Sequence, residues 1–140
     1  MTAMPGKMVL DSSVIAAVFF PEAITGQAIR IVEQGEGITI DLALAETANV
    51  AWKRTVHQDL DPDAIRSSLA DCIAFITETC ELIPSCDLVE PAYDLACRSR
   101  ITVYDALFVA AAVRCGCPLV TADAALASSA KSSCRTVLVR

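Results

Sequence analysis

The chain has a single histidine, His57, and no two of its seven cysteines form a CxxC pair. One histidine excludes a metal-free phosphodiesterase that works through a histidine pair. It falls where a helix should end, so it reads as a surface group facing the helix dipole. Without a CxxC pair, neither a zinc site nor a redox dithiol is indicated. Long apolar runs are missing as well: the longest uncharged stretches, such as Ser12 to Pro21, are about ten residues, against roughly 20 for a membrane span. Met1 to Lys7 carries no apolar core of signal-peptide type, so the expectation is a soluble, cytoplasmic protein with no membrane partner. Basic charge is also short. Eleven Lys and Arg stand against 17 Asp and Glu, a net charge of −6, which excludes a broad basic surface for gripping nucleic acid. Binding of a polyanion would need carboxylates gathered around divalent cations, whose charge then sets the local field.

What is present is apolar. Hydrophobic residues make up 54% of 140, enough for one domain over residues 1–140, and a chain of this length buries roughly two thirds of its unfolded surface. Cys72, Cys80, Cys86, Cys97, Cys115, Cys117 and Cys134 read mostly as small apolar core residues, with their disulfide state left open. No repeats, low-complexity tracts or linkers interrupt the chain.

Met8–Leu10 reads as a strand ending at Asp11, and Ser12–Phe20 as a helix stopped by Pro21. A second helix is expected over Glu22–Gln34, a strand over Gly37–Ile40, and a helix capped by Asp41 that runs to about His57. Asp61 and Pro62 open a long helix whose buried stripe is Ile65, Leu69, Cys72, Ile76 and Cys80. After a short strand at Glu81–Pro84, Asp87 should cap a helix to Arg98, and Thr102 another that ends at Gly116. Leu119–Thr121 is the next strand, Asp123 opens a small helix, and Thr136–Val139 is a final edge strand. Strands separated by helices imply an α/β fold, with a mostly parallel sheet of four to five strands between two helical layers.

Ligands in open α/β sheets collect at the carboxyl ends of the strands. Asp11 and Asp123 both sit there. Asp105 is the one charged residue between Arg100 and Arg114, in a helix apolar all round and hence central; a carboxylate there needs a partner. Glu46 shares a helix stripe with Asn49 and Lys53. Each acid alone also has a structural reading: Asp11 and Asp123 as N-caps, Asp105 with Thr102 as a capping box, Glu46 on a solvated face.

Taken together, Asp11-Ser12-Ser13-Val14, Ala45-Glu46-Thr47-Ala48-Asn49, Tyr104-Asp105-Ala106-Leu107-Phe108-Val109 and Leu119-Val120-Thr121-Ala122-Asp123 resemble, in order and spacing, the signatures of PIN domains. The resemblance runs from residue 9 to about 125 and is strongest to the VapC-type toxins of prokaryotic toxin–antitoxin pairs. It implies a PIN-like three-layer α/β/α fold and a metal-dependent endoribonuclease. Asp11, Glu46, Asp105 and Asp123 would form the acidic cluster that holds Mg²⁺ or Mn²⁺, Thr121 would belong to the same site, and Ser13 or Asn49 would stand behind it. It also implies an RNA substrate, products with 5′-phosphate and 3′-hydroxyl ends, a homodimer, and an antitoxin that pushes a basic side chain into the crevice. The low basic content and the cysteine count depart from that pattern.

Hard oxygen donors suit Mg²⁺ or Mn²⁺, whereas zinc recruits histidine or thiolate. Lys53, Arg54, Arg98 and Arg100 are the candidate phosphate contacts. An aspartyl-phosphate enzyme with Asp11 as nucleophile would need a second Asp where Ser13 stands, or an acidic pair after the first strand and a lysine near the last; neither is present. The alternative from another class is a catalytically inert PIN-like module that binds RNA or protein.

Overall fold

The computed structural model describes residues 6–140; Met1–Pro5, part of the stretch read above for a leader, lie outside the described residues. Strands β1 (Lys7–Leu10), β2 (Glu36–Ile40), β3 (Glu81–Ile83), β4 (Leu119–Thr121) and β5 (Thr136–Leu138) form one sheet in the order β3-β2-β1-β4-β5. Every pairing is parallel, with Val9 opposite both Ile38 and Leu119, and Thr121 opposite Leu138. The expected five strands are all present, and β5 is an edge strand as its alternation suggests. Parallel strands are buried on both faces, so Val9, Leu10, Ile38, Ile40, Leu119 and Val120 are all within the core.

Among the described residues, seven α-helices cover the sheet. Helices α5 (Val89–Ser99) and α6 (Val103–Cys115) pack on each other, with α6 also against β1, β2 and β4. A second group is built round α1 (Ser12–Phe19), which meets α2 (Thr25–Val32), α3 (Leu42–Val56), α4 (Pro62–Ala74) and β4. The short α7 (Ala124–Ala130) lies on β4 and β5. Residues 106–112 of α6 are all buried, as an all-round apolar helix demands. It ends at Gly116, whose φ of +63° is the left-handed cap conformation that glycine reaches without strain.

Three expectations are corrected. The helix expected over Glu22–Gln34 is only Thr25–Val32, because the Thr25 hydroxyl accepts from the Glu22 amide and donates to the Ala17 carbonyl, which fixes residues 22–24 as a turn. Asp41 makes no cap hydrogen bond to α3; its carboxylate accepts from the amide and hydroxyl of Ser85, tying the end of β2 to the segment after β3. Asp87 does not cap α5: it closes a 3₁₀ turn over Ser85–Asp87, and buried Leu88 follows before the helix begins. The long stripe from Ile65 holds, but through a wide π turn at Phe75–Thr79 that keeps Ile76 and Cys80 inward.

This order places the site. The chain steps from β1 outward to β2 and β3, then returns to the other side of β1 for β4 and β5. The reversal between β1 and β4 is the switch point at which open α/β sheets leave a crevice.

Candidate active site

Asp11 is the first residue beyond β1, and its backbone amide donates to the Val120 carbonyl of the neighbouring β4. Only 5% of Asp11 is exposed. One carboxylate oxygen accepts from the Ser13 hydroxyl at 2.6 Å and from the Val14 amide at 3.1 Å, so the acid does cap α1. The other oxygen accepts from the Thr121 hydroxyl at the end of β4. Those hydroxyls are held in turn: Ala122 donates its amide to Ser13 at 2.9 Å, and Asp123 donates its amide to Thr121 at 3.0 Å. A hydroxyl has one proton to give, and both are spent on Asp11. Its carboxyl is nevertheless pushed up to about 6, because burial outweighs the bonds from Ser13, Thr121 and Val14, and the charge of Asp105 adds to the rise.

Glu46, half-buried on α3, accepts from the Ser12 hydroxyl at 2.6 Å. Burial raises its carboxyl, the Ser12 bond opposes this, and Asp105 adds to the rise. Asp105 stands in the first turn of α6. The Thr102 hydroxyl accepts from its backbone amide at 3.2 Å, so the cap is made by the amide and not by the carboxylate. Burial raises that carboxyl too, with the charge of Asp123 behind it and Thr102 acting against both. Asp123, exposed beyond β4, caps α7 through the amides of Ala125 and Leu126. The charge of Asp105 is thus felt by Asp11 and Glu46 and that of Asp123 by Asp105, while among the described residues no three acidic, histidine or cysteine side chains form a group that could hold one ion.

A family model described as the PIN domain matches residues 8–131. The chain belongs to the PIN-domain family. Ribonuclease VapC3 of Pyrobaculum aerophilum is 36% identical over 122 residues, which span 86% of this chain and 92% of that protein. PAE2754 from Pyrobaculum aerophilum has a TM-score of 0.71 at 22% identity, over 96% of this chain and 92% of its own. VapC20 from Mycobacterium tuberculosis, a sarcin-ricin loop cleaving toxin, reaches 0.67 at 18%, over 87% and 94%. VapBC2 from Rickettsia felis, solved with a DNA fragment from its promoter, reaches 0.67 at 13%, over 96% and 99%. The three structures share the fold with this PIN domain.

Beside the acids an open cleft of about 580 Å³ is lined by Ser12, Ser13, Glu46, Asn49 and Tyr104. Asn49 and Ser13 thus both face the cleft, and Ser13 and Thr121 both donate to Asp11. Sequence reading missed Ser12, the partner of Glu46, and Tyr104 as a wall of the cleft. The signal for Ser12 was available: two consecutive hydroxyls after a capping acid can serve two different neighbours. Of the candidate phosphate contacts in this PIN domain, Arg54 is spent on the Pro21 carbonyl and Glu22. Arg98 lines a separate groove between α5 and α6 with Asp94 and Arg114. Lys53 and Arg100 remain exposed near the motif-bearing helices.

Thr121 is fully buried, donates to Asp11 and accepts from the Asp123 amide, so any effect it has on the site runs through those two neighbours. Thr121→Val keeps the shape but strips Asp11 of one donor and the Asp123 amide of its acceptor. Groups standing behind a ligand typically cost 10- to 100-fold when removed. A loss of about that size in cleavage, with a smaller loss for Thr121→Ser, is the expected result in a steady-state assay; equal activity in wild type and valine variant would contradict the role.

Proposed function

We propose that this PIN-domain protein is a divalent-metal-dependent endoribonuclease that hydrolyses RNA phosphodiester bonds, acting as the toxin of a toxin–antitoxin pair. One observation carries the reading: Asp11, Glu46 and Asp105 are carboxyls raised chiefly by burial, with the charge of Asp105 adding to the rise of the first two and that of Asp123 to the rise of Asp105, while among the described residues no salt bridge reaches any of the four. Buried or crowded charge needs a counter-charge, and a bound cation supplies it.

The donor set fits such an ion. All four groups are hard oxygen ligands, and His57 is engaged edge-on with Trp52. Among the described residues no three acidic, histidine or cysteine side chains are arranged to grip one ion together. That suits Mg²⁺, which is usually held by one or two carboxylates with water completing its octahedron, better than a dedicated protein cage. With water completing its shell, Mg²⁺ or Mn²⁺ would be held by one or two at a time of Asp11, Glu46, Asp105 and Asp123. The chemistry gained is charge neutralisation at the scissile phosphate and a lowered pKa for attacking water.

The chain's own contribution is placement. Ser13, Thr121 and the Val14 amide hold Asp11 in one orientation, Ser12 fixes Glu46, and the cap of α6 fixes the turn that carries Asp105. The name and sequence similarity of ribonuclease VapC3 support the RNA substrate and the toxin role. A cognate antitoxin, a homodimer and a cytoplasmic setting belong to the same proposal, with residues 1–140 acting as one PIN-like unit; among the described residues no helix is long and apolar enough to cross a membrane.

The test is cleavage of single-stranded RNA, structured RNA and DNA by the wild type in Mg²⁺, Mn²⁺ and EDTA. RNA cleavage that either metal supports and EDTA abolishes is expected. RNA binding with no cleavage in any metal would favour the inert module instead.

A further inference from the structure

The cleft beside the acids has one exposed aromatic wall. Tyr104 is the residue before Asp105 at the start of α6, and 63% of it is exposed. Large rings normally bury most of their surface, and an exposed one beside a site offers a flat apolar face to a ligand. Residues 106–112 of the same helix are buried, whereas this ring lies outside the core that they serve.

In the same cleft α3 presents Leu42, Glu46, Asn49 and Val50, positions three and four residues apart and hence on one face. Lys53 is the next position on that stripe, seven residues past Glu46, a rise of about 10.5 Å along the helix. Its ammonium is exposed, and among the described residues it enters no salt bridge. Along α3 from Glu46 the stripe therefore reads carboxylate, amide, ammonium, the first two lining the same cleft as the tyrosine ring. This is the order in which one nucleotide strand presents a phosphate, a base and the next phosphate.

We infer that Tyr104 is the base-stacking platform of this site, the residue that selects an unpaired base; this rests on the ribonuclease reading above. An unpaired base lies on the ring, with the Asn49 amide toward its edge and Lys53 toward the neighbouring phosphate. With a net charge of −6, the protein has no broad basic surface with which to hold a duplex by its backbone. Affinity must come from local contacts, and stacking on an aromatic ring is the contact that only an unpaired base can make on both ring and edge.

The test compares wild type, Tyr104→Phe and Tyr104→Ala. Because the ring is exposed, truncation opens no core cavity. Binding of a short fluorescein-labelled single-stranded RNA and of its blunt duplex is read by anisotropy in an Asp11→Asn background, which keeps the probe intact. Cleavage is read separately in the otherwise native chain. Tyr104→Ala should weaken single-strand binding and raise KM by about 5- to 150-fold, with a smaller effect on kcat, and Tyr104→Phe should restore both. Unchanged binding and KM in Tyr104→Ala, duplex binding equal to single-strand binding, or no measurable binding of the single strand would each overturn the inference. Cleavage with wild-type KM in Tyr104→Ala rejects stacking and leaves the ribonuclease reading standing. Binding lost in alanine and regained in phenylalanine, with no cleavage by the wild type, rejects the ribonuclease reading and leaves stacking.

Discussion

Asp11→Asn is expected to leave a folded protein whose kcat/KM for RNA is lower by about 10³-fold or more, beyond the 10- to 100-fold typical of groups that stand behind a metal ligand. The substitution is nearly isosteric. The amide oxygen can still accept from Ser13 and the Val14 backbone, while the Thr121 hydroxyl must turn its proton away from the new NH₂ group. What disappears is a buried negative charge and with it the strongest reason for a cation to enter. An Asp11→Asn protein that cleaves as well as wild type would remove Asp11 from the site.

The same variant carries a stability signature of opposite sign. The Asp11 carboxyl moves from an ordinary 3.8 to about 6 on folding, so between those values the folded state binds more protons than the unfolded one. Stability from this group is therefore fully present below about pH 4 and is lost as pH rises through 6. At 1.36 kcal/mol per pKa unit the loss at neutral pH is about 3 kcal/mol. Asn does not titrate. In EDTA, Asp11→Asn should be the more stable protein at pH 7.5, and the gap should close towards pH 4.5, as read by urea denaturation across that range. Glu46 and Asp105 are also raised and give the wild type and the variant a common slope of the same sign. Parallel stability curves in the two proteins would contradict an uncompensated charge at Asp11. A Mg²⁺-dependent rise in melting temperature, expected for wild type and lost in the variant, follows from ligand linkage.

How legible this was differs by level. The element order and the parallel sheet follow from hydrophobic runs punctuated by Pro, Gly and capping residues, all of which act locally. The acids at the ends of β1 and β4 were legible for the same reason, since strand ends and topology give their address. What local rules could not supply is a partner far away in sequence. Asp41 has every local mark of an N-cap, yet it spends its carboxylate on Ser85, which stands beside it only because β2 pairs with β3. Ser12 meets Glu46 only because α1 packs on α3. Thr25 likewise shortens α2 through a bond to Ala17 that no period in the sequence announces.

Asp105 is where local and distant readings compete, and a second substitution separates them. If its purpose were to cap α6, Thr102 and the Asp105 backbone amide already accomplish that, and Asp105→Asn leaves this bond in place. The variant should therefore be at least as stable as the wild type at neutral pH without metal, while cleavage falls by about 10²- to 10³-fold, the range for deleting one charge-stabilising group from a site. Because the charge of Asp105 helps to raise both Asp11 and Glu46, its removal should also bring those two carboxyls down, a shift readable by carboxyl-carbon NMR titration without metal. Thr102→Ala provides the contrast: a lost N-cap costs about 1 kcal/mol and should leave the Asp11 titration in place. An Asp105→Asn protein that loses stability as Thr102→Ala does, with Asp11 titrating as in wild type, would return Asp105 to the role of a helix cap and take the centre out of the proposed site.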